Sequence, residues 1–131
     1  MARALGTTDE VTACDCCGKS PLKLTVIMEL DDGEIVHYGT TCARRNTGKG
    51  QREITSEIAE HARRTLAAAQ AEFKATPEAA AERAAFDSRP RNLVGRAAME
   101  WVREACAAAD VARKAIAAKH GIPGHFYSLS R

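Results

Sequence analysis

The chain has 131 residues, 45% of them hydrophobic and 5% aromatic, with a formal net charge of +2. That length suits one compact domain, or a small module with an attached helical one, and the near balance of charge excludes polyanion binding through bulk basicity alone. Much of the apolar fraction is alanine, which favours helix but buries little area, so helical parts must pack along small-residue faces.

No segment reaches the roughly 20 apolar residues of a membrane span, and the chain begins without the apolar stretch of a secretory signal. A cytoplasmic location is the expectation, where thiols stay reduced and clustered cysteines bind metal rather than form disulfides. The five cysteines are an odd number, unevenly placed. A disulfide between two of Cys14, Cys16, Cys17 and Cys42 is the alternative.

In chain order, residues 1–13 read as a polar lead-in without a pattern of their own. Cys14-Asp15-Cys16-Cys17-Gly18-Lys19 follows. Two cysteines spaced by two residues and followed by glycine match a zinc knuckle, whose tight turn aims both sulfurs at one point and turns backbone amides toward them. From Leu22 to Leu30, apolar Leu22, Leu24, Val26, Met28 and Leu30 alternate with Lys23, Thr25, Ile27 and Glu29, the period of a strand with one buried face. Asp31-Asp32-Gly33 signals a turn, and Glu34 to Tyr38 makes the return strand. Closing this hairpin brings Cys42 beside the knuckle. Thr40 or Thr41 can cap a short helix opening at Cys42, ended by Asn46-Thr47-Gly48-Lys49-Gly50.

Beyond the glycines the pattern turns helical. Ile54, Ile58, Ala62, Leu66, Ala69 and Phe73 form one stripe of a helix from about Glu53 to Ala75. Thr76-Pro77 opens a short helix to about Phe86. After Asp87-Ser88-Arg89-Pro90, a long helix carries Leu93, Ala97, Trp101, Ala105, Ala108, Ala112 and Ile116 on one face up to a stop at Gly121. Gly121 to Tyr127 reads as a tail. The fold class is therefore α+β, with a zinc-bound knuckle, β-hairpin and short helix over residues 1–50 and an alanine-rich α-helical hairpin with a C-terminal tail over residues 51–131.

Cys14, Cys17 and Cys42 are the metal ligands read from spacing, with Zn2+ as the cofactor, and a structural zinc takes a fourth donor. His37 is the first candidate because it ends the return strand shortly before Cys42. With a three-residue loop it faces Ile27, and with a two-residue loop it faces Met28. Cys16 is the second candidate, although the middle residues of a knuckle usually point outward, and His61 is the third. The competing reading of His37 is a strand-surface histidine without a role.

The stretch from Cys14 to Arg45, with its knuckle, Leu22, Leu24, Val26, the Asp-Gly turn, His37-Tyr38-Gly39 and Cys42-Ala43, resembles a small zinc-finger-like segment of uncharacterised actinobacterial and actinophage proteins. The resemblance covers about a quarter of the chain. It implies a treble-clef-like knuckle, hairpin and short helix with zinc on Cys14, Cys17 and Cys42, and implies no known activity. A standard treble clef would offer a further ligand in the first turns of the helix, where this chain has Arg45 and Asn46.

Enzymatic readings find little support in the residues. Thiolate-rich coordination lowers the Lewis acidity that a catalytic zinc needs, and a treble-clef-like nuclease would have only His37 and Asn46 to work with. Cys106 reads as a small buried helix residue rather than a nucleophile. Gly48-Lys49-Gly50 lacks the spacing of a nucleotide-hydrolase phosphate loop. The local charge signal is a cluster of Arg44, Arg45, Lys49 and Arg52 around the glycine connection, with Arg63 and Arg64 farther along. Such a cluster suits the phosphates of DNA or RNA, while Glu53, Glu57 and Glu60 among these residues are what a solvated mixed face looks like. The alternative is an adaptor that offers Leu66, Phe73, Trp101 and Ile116 of the helical half to a protein partner, against the simpler role of that stripe as the protein's own core.

Overall fold

The computed structural model describes residues 2–122 together with Leu129. Three strands, β1 (Arg3–Thr8), β2 (Thr25–Glu29) and β3 (Ile35–Tyr38), form an antiparallel sheet in the order β1-β2-β3. Four helices follow: α1 (Thr40–Thr47), α2 (Gln51–Lys74), α3 (Pro77–Asp87) and α4 (Gly95–Lys119). The fold is mixed α+β, and no described helix is long and apolar enough to cross a membrane.

The chain forms two compact units, Met1–Arg64 and Thr65–Arg131. The first therefore extends past the glycine connection at residue 50, because α2 donates its opening turns to the sheet. Ala4, Val26, Met28, Val36, Ala43 and Ile54 make one buried cluster, with Ile58 packed against it. Alternation along β2 works as the apolar pattern requires: Val26 and Met28 are buried while Ile27 turns to the other face. The same alternation fails at its edge, where Leu24 is exposed.

Strand β1 corrects the reading of residues 1–13 as patternless. It pairs with β2 from Arg3↔Glu29 to Thr8↔Thr25, with an irregularity between Ala4 and Gly6. Arg-Ala-Leu-Gly-Thr-Thr carries few large apolar residues, so periodicity had nothing to register. Its anchoring residue, Ala4, is small and fully buried.

In the hairpin, Ile27 faces His37 and Met28 faces Val36. The loop is therefore the three-residue Asp31-Asp32-Gly33, closed by Gly33 N–H donating to Leu30 O and Leu30 N–H to Glu34 O. Helix α1 starts at Thr40 with Gly39 as its cap and no side-chain capping bond, so neither threonine caps it. Gly48, at φ +67°, ends it by donating its N–H to Arg44 O, the left-handed C-terminal position that glycine adopts without strain.

The second unit is built from the end of α2, α3 and α4. Thr76 caps α3 by accepting the Ala79 N–H at 3.2 Å, with Pro77 in the first turn. Ala69, Phe73, Ala79, Ala109, Ile116, Ala117 and Leu129 form its core, with Leu66 and Ala112 against it. One α2 stripe thus serves two cores: Ile54 and Ile58 the first, Leu66, Ala69 and Phe73 the second. The expected α4 stripe holds in part, with Ile116 buried and Ala112 against the core, but Ala97 and Ala108 are exposed while Ala109 and Arg113 are buried. Arg113 is buried with its charge matched. Its guanidinium pairs with Glu82 and, at 2.7 Å, with Asp110, and stands 4.6 Å above the Phe73 ring. Gly121 ends α4 as expected, donating to Ala118 O. The rest of the expected tail, residues 123–127, lies outside the described residues.

Candidate metal centre

The knuckle is held by its own backbone. Gly18, at φ +73°, donates its N–H to Cys14 O, and Cys14 N–H donates to Lys19 O. Asp15 ties the knuckle to β3: its N–H donates to His37 O, and its Oδ2 accepts the His37 N–H at 2.7 Å. Cys42 comes from the opposite direction, in the first turn of α1, which Ala43 anchors in the sheet core.

These elements bring the sulfurs of Cys14, Cys17 and Cys42 within 4.8 Å of one another, a group that could hold a metal ion. Cys14 and Cys42 are buried and Cys17 is exposed. Amides converge on the buried knuckle sulfur, Gly39 N–H reaching Cys14 Sγ at 3.2 Å. Burial opposes ionisation of Cys14, but the amides of Gly39, Cys17 and Cys16 and the Cys17 thiol outweigh it and hold the group down to about 7. Cys42 moves the other way. Its hydrogen bonds to the Cys17 and Cys14 thiols, then burial, then its bond to Cys16, push it up to about 12. A soft divalent ion entering such a site displaces the remaining thiol protons, and binding is correspondingly weaker at low pH.

His37 is not in that group. Its position opposite Ile27 puts it on the sheet face away from Val26 and Met28, whereas α1 packs on the Val26 and Met28 side through Ala43. The His37 imidazole instead lies beside Asp15, Nδ1 to Oδ2 3.8 Å. His61 is half-buried on α2, lining a concavity with Arg3, Ala4 and Glu57, and is not in the group either. Cys16 also stands outside the group, yet it is tied to α1: Asn46 Nδ2 donates to Cys16 Sγ at 3.2 Å and to Cys42 O at 2.8 Å. Asn46, one half of the nuclease pair, is thereby committed to the cysteine cluster.

The basic cluster divides. Arg44, Arg45 and Arg52 are exposed, and among the described residues none has an ion-pair partner. Arg44 and Arg45 line a concavity of about 560 Å3 with Thr41, Gly48, Lys49 and Gly50. Lys49 points its ammonium inward, pairing with Glu57 and donating to Ala2 O at 3.0 Å, with 14% of its side chain exposed. Sequence spacing could not reveal that role, because Glu57 and Ala2 reach Lys49 only through the fold. Arg63 and Arg64 both pair with Glu60.

In the helical unit, Leu66, Phe73 and Ile116 belong to the unit's own core. Trp101 is half-buried, edge-on to Phe86 at 5.2 Å and under Arg89 at 5.6 Å. The Cys106 thiol is pushed up by burial and then by the Glu82 charge, which suppresses the thiolate a nucleophile requires. No protein-family model, curated protein or solved structure gives a significant match to this chain.

Proposed function

We propose that the chain is a small zinc protein without enzymatic activity, whose first unit is shaped by Zn2+ on Cys14, Cys17 and Cys42 and presents Arg44, Arg45 and Arg52 to DNA or RNA. The observation that carries the zinc reading is the approach of three sulfurs from a glycine-ended knuckle and a helix first turn to within 4.8 Å. Thiolate donors of this kind favour a structural zinc over a catalytic one. The nucleic-acid reading is supported by the three unpaired arginines at the end of α1 and the start of α2. Exposed guanidinium groups beside glycines suit phosphates, which they can grip with paired hydrogen bonds. Lys49 is not part of this surface, since its charge is already matched by Glu57.

The test is a gel-shift titration of DNA and RNA across salt concentrations. Arg44→Glu with Arg45→Glu should abolish binding while leaving zinc content at one per chain. Each single Arg→Ala change should flatten the slope of log affinity against log salt by about one unit. Binding that survives the double reversal with an unchanged slope rejects this surface. One observation favours a protein partner instead: Phe86, Ala98, Met99 and Val102 line a concavity of about 690 Å3 on the helical unit, and Met99 is 68% exposed. Such an interface would hold its affinity as salt rises.

A further inference from the structure

Three thiolates leave one corner of a tetrahedral zinc site open, and structural sites fill that corner from the protein. In α1, one turn after Cys42, stands Asn46. Its Nδ2 already donates to Cys42 O and Cys16 Sγ, and a side-chain amide is a weak zinc ligand beside thiolates. His37 is on the other face of the sheet, against Asp15. The remaining sulfur tied to this turn of α1 belongs to the knuckle itself: Cys16, bonded by Asn46.

We infer that Cys16 is the fourth ligand, so that the site is a closed set of four thiolates from Cys14, Cys16, Cys17 and Cys42, with Asn46 as the amide that steers Cys16 toward the metal. The inference rests on the zinc reading above. Cys16 lies in the same knuckle as Cys14 and Cys17, whose sulfurs stand within 4.8 Å of that of Cys42. The Asn46 bridge holds the Cys16 sulfur at 3.2 Å against the same helical turn that carries Cys42. Amide donors to metal-bound thiolates orient the ligand and share its charge, which is the role Asn46 takes here. Exposure of Cys16 is no obstacle, because Cys17 is also exposed and belongs to the group of three. The Cys16 sulfur lies outside the 4.8 Å group of three, so its ligation requires the side chain to turn inward. A closed four-thiolate site leaves no position for a reactive water, and so accounts for a structural rather than catalytic zinc.

The test counts thiols. In a Cys106→Ala chain loaded with one equivalent of zinc, a disulfide reagent should find no reactive thiol. One reactive thiol at full zinc occupancy would overturn the inference while leaving the zinc reading intact. Cobalt substitution supplies the second measurement: thiolate-to-cobalt absorption should fall by about a quarter in Cys16→Ser, one donor in four, and be unchanged in His37→Ala. Zinc affinity should fall by at least about 10-fold in Cys16→Ser, and Asn46→Ala should weaken it by about 10-fold or more, as outer-sphere partners do. A His37→Ala loss exceeding that of Cys16→Ser would assign the corner to His37. Failure of the wild-type chain to take up zinc or cobalt at all would overturn both readings together.

Discussion

Glu57 joins three segments of the first unit through one carboxylate, which makes it the sharpest place to test the fold. It accepts the Ala4 N–H from β1 at 2.9 Å and pairs with Lys49, whose ammonium also donates to Ala2 O. Glu57→Ala leaves the Lys49 ammonium, 14% exposed, without a counter-charge, and the Ala4 N–H without an acceptor. Removing one partner of a buried pair costs about 3 to 5 kcal/mol, while exposed pairs are worth about 0 to 1. With 27% of the Glu57 side chain in solvent, the expected cost lies between, at about 2 to 3 kcal/mol. In a unit of this size that is on the order of 10 to 20 °C in melting temperature. Urea unfolding of the zinc-saturated chain, followed through the amide NMR signals of β2, measures it. The same change in a Lys49→Met background should cost at least about 1 kcal/mol less, because the stranded charge is gone. A Glu57→Ala cost under about 0.5 kcal/mol, or equal costs in the two backgrounds, would refute the reasoning. The pH dependence has a definite sign. Burial raises the Glu57 carboxyl, but the Ala4 N–H and Lys49 outweigh it and hold the group below its ordinary 4.5. Its contribution is therefore complete above that value and lost as pH falls through the lowered one. The stability gap between wild type and Glu57→Gln should stay constant from about pH 7 to 5.

Arg113→Met should destabilise the second unit by about 3 to 5 kcal/mol, since Glu82 would be left largely buried without its guanidinium. Trp101 fluorescence during urea unfolding reads this, and a loss under about 1 kcal/mol would show that the pair contributes little. Chelation of the proposed zinc, or Cys17→Ser, should unfold the sheet unit while far-ultraviolet circular dichroism retains the signal of α3 and α4. Retention of the dispersed β2 and β3 amide signals in excess chelator would count against a metal-dependent first unit.

Local chemistry made much of the chain legible. The glycine-ended knuckle, the alternation of Val26 and Met28, the Asp31-Asp32-Gly33 turn and the Thr76-Pro77 and Gly121 helix boundaries each depend on residues within a few positions of one another. The convergence of Cys42 on the knuckle followed from one hairpin closing, and the structure brings those three sulfurs together. Strand β1 is illegible in sequence because its one fully buried anchor, Ala4, is small and supplies little apolar surface. Whether His37 faced Ile27 or Met28 depended on a one-residue difference in loop length, which reverses every side chain on the strand. The charged residues were the least readable of all. Lys49 and Arg113 look like surface cations in sequence, but Glu57 lies eight residues from one and Glu82 thirty-one from the other. A long side chain is drawn inward only where folding supplies an opposite charge and removes water from both, and that coincidence exists only in three dimensions.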